Sequence, residues 1–254
     1  MYITRTNSTN TLLKELLADN QWSAAERFIR AGYQTAGRGQ AGNSWESEAD
    51  RNLLCSVLID PQKVKDKRPF YLNVAVSVAV HRMVNSQFSI LNSQLAIKWP
   101  NDIYYGDKKI AGILIENMII GSELKYAIAG IGLNVNQTTF VSDAPNPVSM
   151  KQITGREFNL DELMTRLLEE IDAAMSEDAW SYYKAHLYRR EGLWLFVERE
   201  VSILPTMNVP KDDALSNKAF LARIKDITEQ GEIVLQDEQG AERKYHFKQI
   251  RYII

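Results

Sequence analysis

Four short apolar segments between residues 95 and 133 constrain the fold more than any other feature of the sequence. They cover residues 95–98, 103–105, 110–116 and 126–133, and Gly106-Asp107 is a tight-turn sequence between the second and the third. Short apolar segments separated by turn residues are typical of strands that are joined as hairpins. We therefore predict an α+β fold with a mixed, mainly antiparallel sheet and helices packed on it.

Helical segments flank this sheet. Ser8-Thr9-Asn10-Thr11 offers capping residues for a helix whose leucines at positions 12, 13, 16 and 17 lie on one face. A helix rich in Val and Ala begins at Pro69 and runs to about residue 85, and Asn159 caps another that keeps helical period to Met175. A second amphipathic stretch covers about residues 180–190. Residues 28–34 and 53–59 are predicted strands, the latter an almost continuous apolar run.

The periodicity changes again after Gly192. Short strand segments at residues 201–204, 219–226, 232–235 and 244–250 are separated by turn residues such as Gly231 and Gly240. Several short strands in so short a stretch predict a small β-barrel. We therefore divide the chain into residues 1–192 and residues 193–254.

The composition excludes several classes of protein. The 254 residues are 45% hydrophobic and 24% charged, with 30 Lys and Arg against 32 Asp and Glu. This balance is typical of a soluble globular protein that buries a core. The densest basic cluster, residues 63–68, is interrupted by Asp66, so we expect no nucleic-acid binding. The sequence has no secretory signal and no apolar run long enough to span a membrane, and we expect a cytoplasmic protein.

The cysteine and the histidines give no support to a metal site. Cys55 is the single cysteine, which excludes an intrachain disulfide and a cysteine-rich zinc site. Because it lies in the apolar run 53–59, we interpret it as a packed thiol rather than a nucleophile. His81, His186 and His246 have no short-range ligand spacing, so we expect no metal ion held by the protein alone.

A glycine-bearing loop is the first candidate for function. Residues 37–42 read Gly-Arg-Gly-Gln-Ala-Gly, which has the spacing of a dinucleotide-binding fingerprint. The polar residues 43–47 that follow have no helical period, so no helix N-terminus is predicted to receive a pyrophosphate. The loop still offers backbone N–H groups and Arg38, a combination that suits a carboxylate or a phosphate. The alternative is an ordinary surface loop.

Two further segments place polar groups within apolar strands. Residues 98–102 read Lys-Trp-Pro-Asn-Asp, and residues 109–116 read Lys-Ile-Ala-Gly-Ile-Leu-Ile-Glu. A buried lysine or amide needs a partner, so these residues are costly choices for packing alone. The alternatives are an Asx turn after Pro100 and an exposed hairpin edge at Lys109.

Residues 130–136, Gly-Ile-Gly-Leu-Asn-Val-Asn, form the last candidate segment. Gly130 and Gly132 within a strand permit the close approach of a ligand or of another part of the chain. Asn134 and Asn136 would point the same way. The alternative is a strand end with turn-forming asparagines.

Taken together, these segments resemble the biotin protein ligases in order and spacing across nearly the whole chain. The family pattern has Ser-Thr-Asn opening the first helix, a strand ending in Gln before Gly-Arg-Gly-Arg-x-Gly-x-x-Trp, then Lys-Trp-Pro-Asn-Asp, Lys-φ-Ala-Gly-Ile-Leu-φ-Glu and Gly-φ-Gly-φ-Asn-φ-Asn, where φ is apolar. These motifs are matched here by residues 8–10, 34, 37–45, 98–102, 109–116 and 130–136. The resemblance implies a biotin- and ATP-binding catalytic domain in residues 1–192 and an SH3-like domain in residues 193–254.

The resemblance also implies a reaction. Biotin and ATP, the latter with Mg²⁺, give biotinyl-5′-AMP and pyrophosphate, and a lysine of a biotin carboxyl carrier protein then takes up the biotin. Because a carboxylate must attack a phosphate, cations have to offset the repulsion, and we expect Lys109 and Arg38 to do so. Asp102 is expected to orient or deprotonate the incoming amine.

The remaining site residues are implied by the same motifs. For biotin binding they are Ser8, Thr9, Asn10, Gln34, Gly37, Arg38, Gly39, Gln40, Lys109 and Gly112. For ATP and adenylate binding they are Arg38, Trp45, Asn101, Lys109 and Asn134.

The chain departs from the family pattern in three ways. Gln40 stands where the family loop has a second arginine, and Asn43 where it often has a third. Each change removes a positive charge, so we expect weaker retention of the adenylate unless other groups compensate. Some family members carry an N-terminal DNA-binding domain, whereas here the first helix begins within the first dozen residues, and we expect no DNA binding. We expect a monomer or a homodimer.

Two other functions remain open. Lipoate protein ligases run similar chemistry, although their usual Arg-Arg-x-Ser-Gly-Gly-Gly loop is absent here. A non-catalytic biotin-binding module is the second, and it is favoured if Lys109 proves unnecessary.

Overall fold

The computed structural model describes residues 1–23, 25–88, 94–120, 123–141, 146–198 and 219–253. The strands are β1 Tyr2–Thr6, β2 Phe28–Gln34, β3 Leu53–Ile59, β4 Leu95–Lys98, β5 Asp102–Tyr105, β6 Lys108–Ile120, β7 Glu123–Leu133, β8 Trp194–Glu198, β9 Ala219–Ile227, β10 Ile233–Asp237, β11 Glu242–Tyr245 and β12 Ile250–Tyr252. The helices are α1 Thr9–Ala18, α2 Tyr71–Asn85, α3 Met150–Thr154, α4 Leu160–Ser176 and α5 Ala179–Ala185.

The first seven strands form one sheet in the order β1-β2-β3-β7-β6-β5-β4. β1 and β2 are parallel, and the other neighbours are antiparallel. The prediction of a mixed, mainly antiparallel sheet with helices packed on it is therefore confirmed. β6 and β7 form its centre, with Gly112 opposite Gly132 and Leu114 opposite Gly130.

The two faces of this sheet carry different layers. On one face, α2 packs with α4 and α5 and shares a hydrophobic core with Val57 of β3. On the other face, Leu13 of α1 packs against Ile128 of β7. Since residues two apart in a strand share a face, Gly130 and Gly132 lie on the α1 side. α1 covers only part of that side, and the uncovered part becomes the floor of a cleft.

The last five strands form a second antiparallel sheet in the order β11-β10-β9-β8-β12. Two contacts join it to the rest of the chain: the buried Trp99 Nε1 donates to the Gly231 carbonyl at 2.9 Å, and the exposed Lys184 ammonium of α5 lies 2.6 Å from the Asp226 carboxylate. The predicted small β unit is thus present as a sheet. The boundary at residue 192 stays a prediction.

Several predicted elements differ in the structure. A parallel edge strand, β1, precedes the first helix and was not predicted, because three of its five residues are polar. The amphipathic stretch predicted at 180–190 is helical only to Ala185. The strand predicted at 244–250 is two strands, β11 and β12, separated by a turn at residues 246–249. The strand predicted at 201–204 lies outside the described residues. Within the described part of the chain, no helix is long and apolar enough to cross a membrane.

A buried histidine lies behind the sheet, where α2, β4 and α5 meet. The His81 side chain is 1% exposed, with Nε2 3.2 Å from the Leu95 carbonyl oxygen and Nδ1 3.0 Å from the Tyr182 hydroxyl. A carbonyl only accepts, so Nε2 carries the proton and Nδ1 accepts from Tyr182. Burial, with smaller effects of the nearby His186 and Arg82, lowers the pKa of His81 to about 4.

This histidine predicts a loss of stability in mild acid. In the unfolded chain His81 takes up a proton near pH 6.5, whereas in the folded chain it does so only near pH 4. The free energy of unfolding should therefore fall between about pH 6.5 and about pH 4, by about 3 kcal/mol from this residue. Urea unfolding of the wild type and of His81→Gln at several pH values measures it. An equally steep decline in both proteins would contradict the assignment.

Candidate active site

The cleft lies on the α1 side of the large sheet, and its empty volume, with the open solvent at its entrance included, is about 670 Å³. Most of the residues implied by the motifs line it. These are Ser8, Thr9, Asn10, Gln34, Arg38, Gly39, Gln40, Trp45, Asn101, Asp102, Lys109 and Gly112. Gly37 and Asn134 do not line the cleft.

One end of the cleft is polar and uncharged. Ser8 occupies the N-cap position of α1, but its side chain makes no capping hydrogen bond. The Thr9 backbone N–H donates to Gln34 Oε1 at 2.7 Å, and the side chains of Thr9 and Asn10 are buried. Since Gln34 Oε1 is engaged, the amide nitrogen of Gln34 is available to a ligand.

Two residues behind this end were not predicted to belong to the site. The Ser56 hydroxyl, fully buried in β3, lies 2.7 Å from Thr9 Oγ1 and 2.5 Å from Asn10 Oδ1. Asn10 Nδ2 in turn donates to Glu116 Oε2 at 2.7 Å. The sequence shows Ser56 as a serine within the apolar run 53–59. A serine in such a run does not by itself indicate a hydrogen-bond partner.

Glu116 is the centre of a charged cluster beside the cleft. Its carboxylate lies 2.6 Å from the Lys14 ammonium and 2.9 Å from the Arg38 guanidinium. Burial opposes its ionisation, but the hydrogen bonds from Lys14 and Asn10 and the charge of Arg38 outweigh burial and lower the pKa of Glu116. Glu116 is therefore an ionised carboxylate that holds Arg38.

The cationic centre of the cleft is Lys109. Its ammonium lies 2.8 Å from the Asp102 carboxylate and 5.6 Å from the centre of the Trp45 ring. β5 and β6 place Lys109 and Asp102 together because they are adjacent strands of one hairpin. An anionic ligand at this point would compete with Asp102 for the lysine.

The glycines of the central strands let Trp45 lie on the sheet. A Cβ at position 132 would lie 2.5 Å from the Trp45 indole, and one at position 112 would lie 3.0 Å from it. The close approach predicted for the glycines of residues 130–136 is thus made by the loop's own tryptophan. A backbone hydrogen bond closes the loop: the main-chain N–H of Trp45 donates to the Gly37 carbonyl at 2.9 Å.

Two polar atoms of the loop remain unpaired inside the cleft region. Gln40 Oε1 and Trp45 Nε1 are both buried, and neither has a hydrogen-bond partner among the described residues. Buried polar groups normally have partners, so these two atoms are candidates for hydrogen bonds to a ligand.

The two asparagines implied in adenylate binding, Asn101 and Asn134, differ in their position relative to the cleft. Asn101 lines the cleft and donates through Nδ2 to the Ile113 carbonyl. Asn134 is buried outside the cleft, with Nδ2 3.2 Å from the Val148 carbonyl oxygen, and it holds the chain that follows β7 against residues 148–150. Its role in adenylate binding stays a prediction.

The lysine of residues 98–102 lies outside the cleft. The Lys98 ammonium donates to the Tyr104 hydroxyl at 2.9 Å and lies 5.2 Å from the centre of the Tyr252 ring, which belongs to the second sheet. Burial, the largest effect, lowers the pKa of Lys98 to about 8. The partner that a buried lysine requires is therefore supplied by tyrosines.

Two further residues, Cys55 and Phe247, line the cleft. Cys55 is 1% exposed, and burial raises the pKa of its thiol to about 12, in agreement with a packed thiol.

Phe247, in the turn between β11 and β12, lines the cleft from the second sheet and contacts Trp99 edge to face, with 6.2 Å between ring centres. Sequence analysis missed it, because no motif links residue 247 to the catalytic segments.

The fold is similar to that of biotin protein ligases of known structure. The structure superposes on a biotin protein ligase from Aquifex aeolicus in complex with biotin and ATP with a TM-score of 0.72 at 20% identity, covering 100% of this chain and 97% of that one. A biotin acetyl coenzyme A carboxylase synthetase from Helicobacter pylori gives 0.61 at 21% identity, covering 96% and 98%. These likenesses show the fold.

Sequence comparison gives the family. The model of the biotin/lipoate A/B protein ligase family matches residues 2–134. A bifunctional ligase/repressor BirA from Bacillus spizizenii is 27% identical over 244 residues, which cover 94% of this chain and 70% of that relative. A biotin--[acetyl-CoA-carboxylase] ligase from Mycobacterium tuberculosis is 30% identical over 143 residues, covering 56% and 52%. The chain belongs to the biotin/lipoate A/B protein ligase family, and the resemblance stated from the motifs is confirmed.

The contact between Trp45 and Gly132 predicts the behaviour of the loop. In Gly132→Ala the new methyl group would displace the indole, and trypsin should cleave after Arg38 about tenfold faster, because overpacking costs about 1–3 kcal/mol. The variant Trp45→Ala should also be cleaved faster than the wild type.

A double variant supplies the control. The three atoms nearest to a methyl group at position 132 all belong to the Trp45 indole, so Gly132→Ala/Trp45→Ala should be cleaved no faster than Trp45→Ala. Fragment masses over time measure the rates. Additive effects of the two substitutions would show that they act independently.

Proposed function

We propose that the protein is an ATP-dependent ligase that activates biotin as biotinyl-5′-AMP and transfers biotin to a specific lysine of a biotin carboxyl carrier protein. The observation that carries the proposal is a single cleft that joins an uncharged hydrogen-bonding end, at Thr9 and Gln34, to a cationic centre at Lys109. Biotin has a neutral ureido ring at one end and a carboxylate at the other, so its two ends match the two ends of the cleft.

The uncharged end selects the ligand. Ser8, Thr9, Asn10 and Gln34 present hydroxyl and amide groups to the cleft, and a ureido group supplies one carbonyl acceptor and two N–H donors. An acid without these groups would leave buried polar atoms unpaired, which is how such sites reject analogues. A lipoyl chain has no ureido group, and this favours biotin over lipoate.

The cationic centre supports the first step. A carboxylate oxygen of biotin attacks the α-phosphorus of ATP, a new P–O bond forms, and the bond to the β-phosphate breaks with release of pyrophosphate. Lys109 neutralises the two approaching anions, and Arg38, released from Glu116, contributes a second positive charge from the loop. Mg²⁺ would enter with the phosphates of ATP and offset part of their charge.

The loop and the adjacent asparagine hold the nucleotide. Trp45 lies on the sheet floor beside Lys109, with an unpaired Nε1–H, and Asn101 lines the same cleft. Gln40 lacks the charge of the family arginine but carries an unpaired acceptor, which a donor on the ligand can satisfy. Weaker retention of the adenylate remains our expectation for Gln40 and Asn43.

The second step uses Asp102. The adenylate occupies Lys109, and the freed Asp102 carboxylate orients the incoming lysine ammonium and accepts its proton. The amine nitrogen attacks the biotinyl carbonyl carbon, an amide forms, and AMP leaves with the bonding electrons of the acyl C–O bond. Phe247 is an exposed apolar side chain that lines the cleft, and we propose that the carrier lysine passes beside it. A cytoplasmic location, a monomer or homodimer, and the absence of DNA binding remain predictions.

Replacement of Lys109 tests the proposed function. The protein is incubated with ATP, Mg²⁺, biotin or lipoate, and an apo carrier domain, and the intact mass of the carrier is recorded. We expect a biotin-sized gain whose rate falls about 10²- to 10³-fold in Lys109→Ala, because one charge that stabilises the transition state is lost. Lys108→Ala is the matched control, since Lys108 is exposed and does not line the cleft.

The other outcomes decide between the alternatives. A lipoyl-sized gain would replace biotin by lipoate as the substrate. Absence of any gain with either acid would favour a non-catalytic binding module.

Replacement of Asp102 separates the two steps. In Asp102→Asn we expect pyrophosphate release from biotin and ATP to persist, while transfer to the carrier slows about 10²- to 10⁴-fold, the usual contribution of a general base. Pyrophosphate release and carrier mass are followed in parallel. Equal slowing of both steps would place Asp102 in activation rather than transfer.

A further inference from the structure

We propose that Gln137 is a positioning residue for the nucleotide end of the cleft. It fastens the stem of the glycine loop, residues 46–52, and by this contact it keeps Trp45 on the sheet floor and slows the release of biotinyl-5′-AMP. Gln137 follows the last motif of the sequence and does not line the cleft. The inference rests on the proposed function, because it concerns the intermediate of that reaction.

The part of the loop that faces the cleft is a closed unit, residues 37–45. Two backbone hydrogen bonds close it, one from the Gly39 N–H to the Asn43 carbonyl at 2.6 Å and one from the Trp45 N–H to the Gly37 carbonyl. The residues of this unit therefore change position together, and its attachments at the two ends decide how far it moves.

The unit is attached to the body of the protein at both ends. Before it, the Ala36 N–H donates to the Asn7 carbonyl at 2.9 Å. After it, in the stem, the Glu48 N–H donates to Gln137 Oε1 at 2.9 Å. A segment that is held at both ends cannot swing away from the sheet, whereas a segment that is held at one end can.

Gln137 is held in one orientation by a buried amide pair with Asn52. The Asn52 Oδ1 accepts from the Val135 N–H at 2.9 Å, so its Nδ2 donates to Gln137 Oε1, at 2.6 Å. The Gln137 Nε2 donates to the Thr139 carbonyl at 2.7 Å, which turns the oxygen toward Glu48. Asn52 is fully buried and Gln137 is 2% exposed, so loss of these bonds would leave buried polar groups unpaired.

Two other contacts of the stem do not replace this attachment. The Glu46 carboxylate accepts from the Val141 N–H at 2.9 Å on the surface, and Val141 belongs to the same short segment as Gln137. The Asp50 N–H donates to a carbonyl of β2, but it lies further from the closed unit than Glu48 does. Without Gln137 the unit would therefore have a longer free connection on this side.

Trp45 depends on the stem more than Arg38 does. The Arg38 guanidinium is also held by the Glu116 carboxylate, whereas the Trp45 indole N–H has no partner among the described residues. In the proposed reaction Trp45 binds the adenylate, and a loop that stays closed keeps such an intermediate from leaving. A fixed Trp45 thus offsets part of the charge that the loop lacks at Gln40.

The experiment measures the rate at which biotinyl-5′-AMP leaves the full chain in the absence of carrier. The complex is formed from labelled biotin, ATP and Mg²⁺, freed of excess ligand by rapid gel filtration, and diluted into unlabelled biotin. Gln137→Met keeps the approximate volume of the side chain and loses its hydrogen bonds. We expect this variant to release the adenylate about tenfold faster than the wild type, the effect of one buried hydrogen bond.

A double variant separates positioning of Trp45 from general damage to the cleft. If Gln137 acts by holding Trp45, then Gln137→Met/Trp45→Ala should release the adenylate at the rate of Trp45→Ala, within about twofold. Multiplication of the two single effects would show that the residues act independently and would overturn the proposal.

Asn136→Ala is the matched control. The Asn136 side chain also makes two hydrogen bonds, to the Phe158 carbonyl at 2.9 Å and from the Phe158 N–H at 3.0 Å, but these lie away from the loop. The release rate should be unchanged in this variant. Equal acceleration in Asn136→Ala and Gln137→Met would contradict a specific attachment of the stem.

Asn52→Asp carries the same test if Gln137→Met does not fold. A carboxylate at position 52 still accepts from the Val135 N–H but cannot donate to Gln137 Oε1. If the Gln137 amide turns over to donate to it, its oxygen no longer accepts from the Glu48 N–H. The attachment is lost in either case, and faster release is expected.

Release at the wild-type rate from a folded Gln137→Met or Asn52→Asp protein would overturn the proposal. Absence of any adenylate in the wild type would instead overturn the proposed function. The two failures are distinguishable, because the first requires that the wild type forms and retains biotinyl-5′-AMP.

Discussion

The Glu116 carboxylate ties together the parts of the molecule that form the cleft. It belongs to the central strand β6, and it receives Asn10 and Lys14 from the first helix and Arg38 from the glycine loop. An ionised carboxylate so close to the core is tolerated only when donors surround it. Its three partners are therefore held in place by the same charge, and the uncharged end and the cationic loop are oriented together.

The sheet provides the second constraint, which is the space that its glycines leave above the strands. β6 and β7 bring Gly112, Gly130 and Gly132 to the face on which α1 leaves part of the sheet uncovered. Because these positions lack side chains, the Asn10 amide and the Trp45 indole lie directly on the strands. A floor of backbone and a wall of buried polar groups therefore form the cleft.

Sequence analysis predicted the parts that depend on local pattern. Strands β2 and β3 and the helix α4 follow from apolar runs and from the cap at Asn159, whose side chain accepts from the N–H groups of Asp161 and Glu162. The motifs identified the cleft because their residue types serve its chemistry. They named Lys109 and Asp102 separately, and their ion pair of 2.8 Å could not be predicted from spacing.

The unpredicted parts depend on contacts between distant residues. Ser56 looks like an ordinary polar interruption of an apolar strand until the fold brings Thr9 and Asn10 over it. Phe247 reaches the cleft only because the second sheet packs against Trp99. Asn134 matched a motif, yet the structure places its amide against the Val148 carbonyl, since a motif records residue type and order but not which way a side chain turns.

The central claim is that one cleft brings a biotin carboxylate and the α-phosphate of ATP together beside Lys109. The most direct test is to incubate the protein with biotin, ATP and Mg²⁺ without any carrier, and to measure biotinyl-5′-AMP and pyrophosphate by mass spectrometry after a quench. The account predicts that both products form in equal amounts, with at least one adenylate per protein molecule. Unmodified biotin and no pyrophosphate from a folded, biotin-binding protein would contradict it.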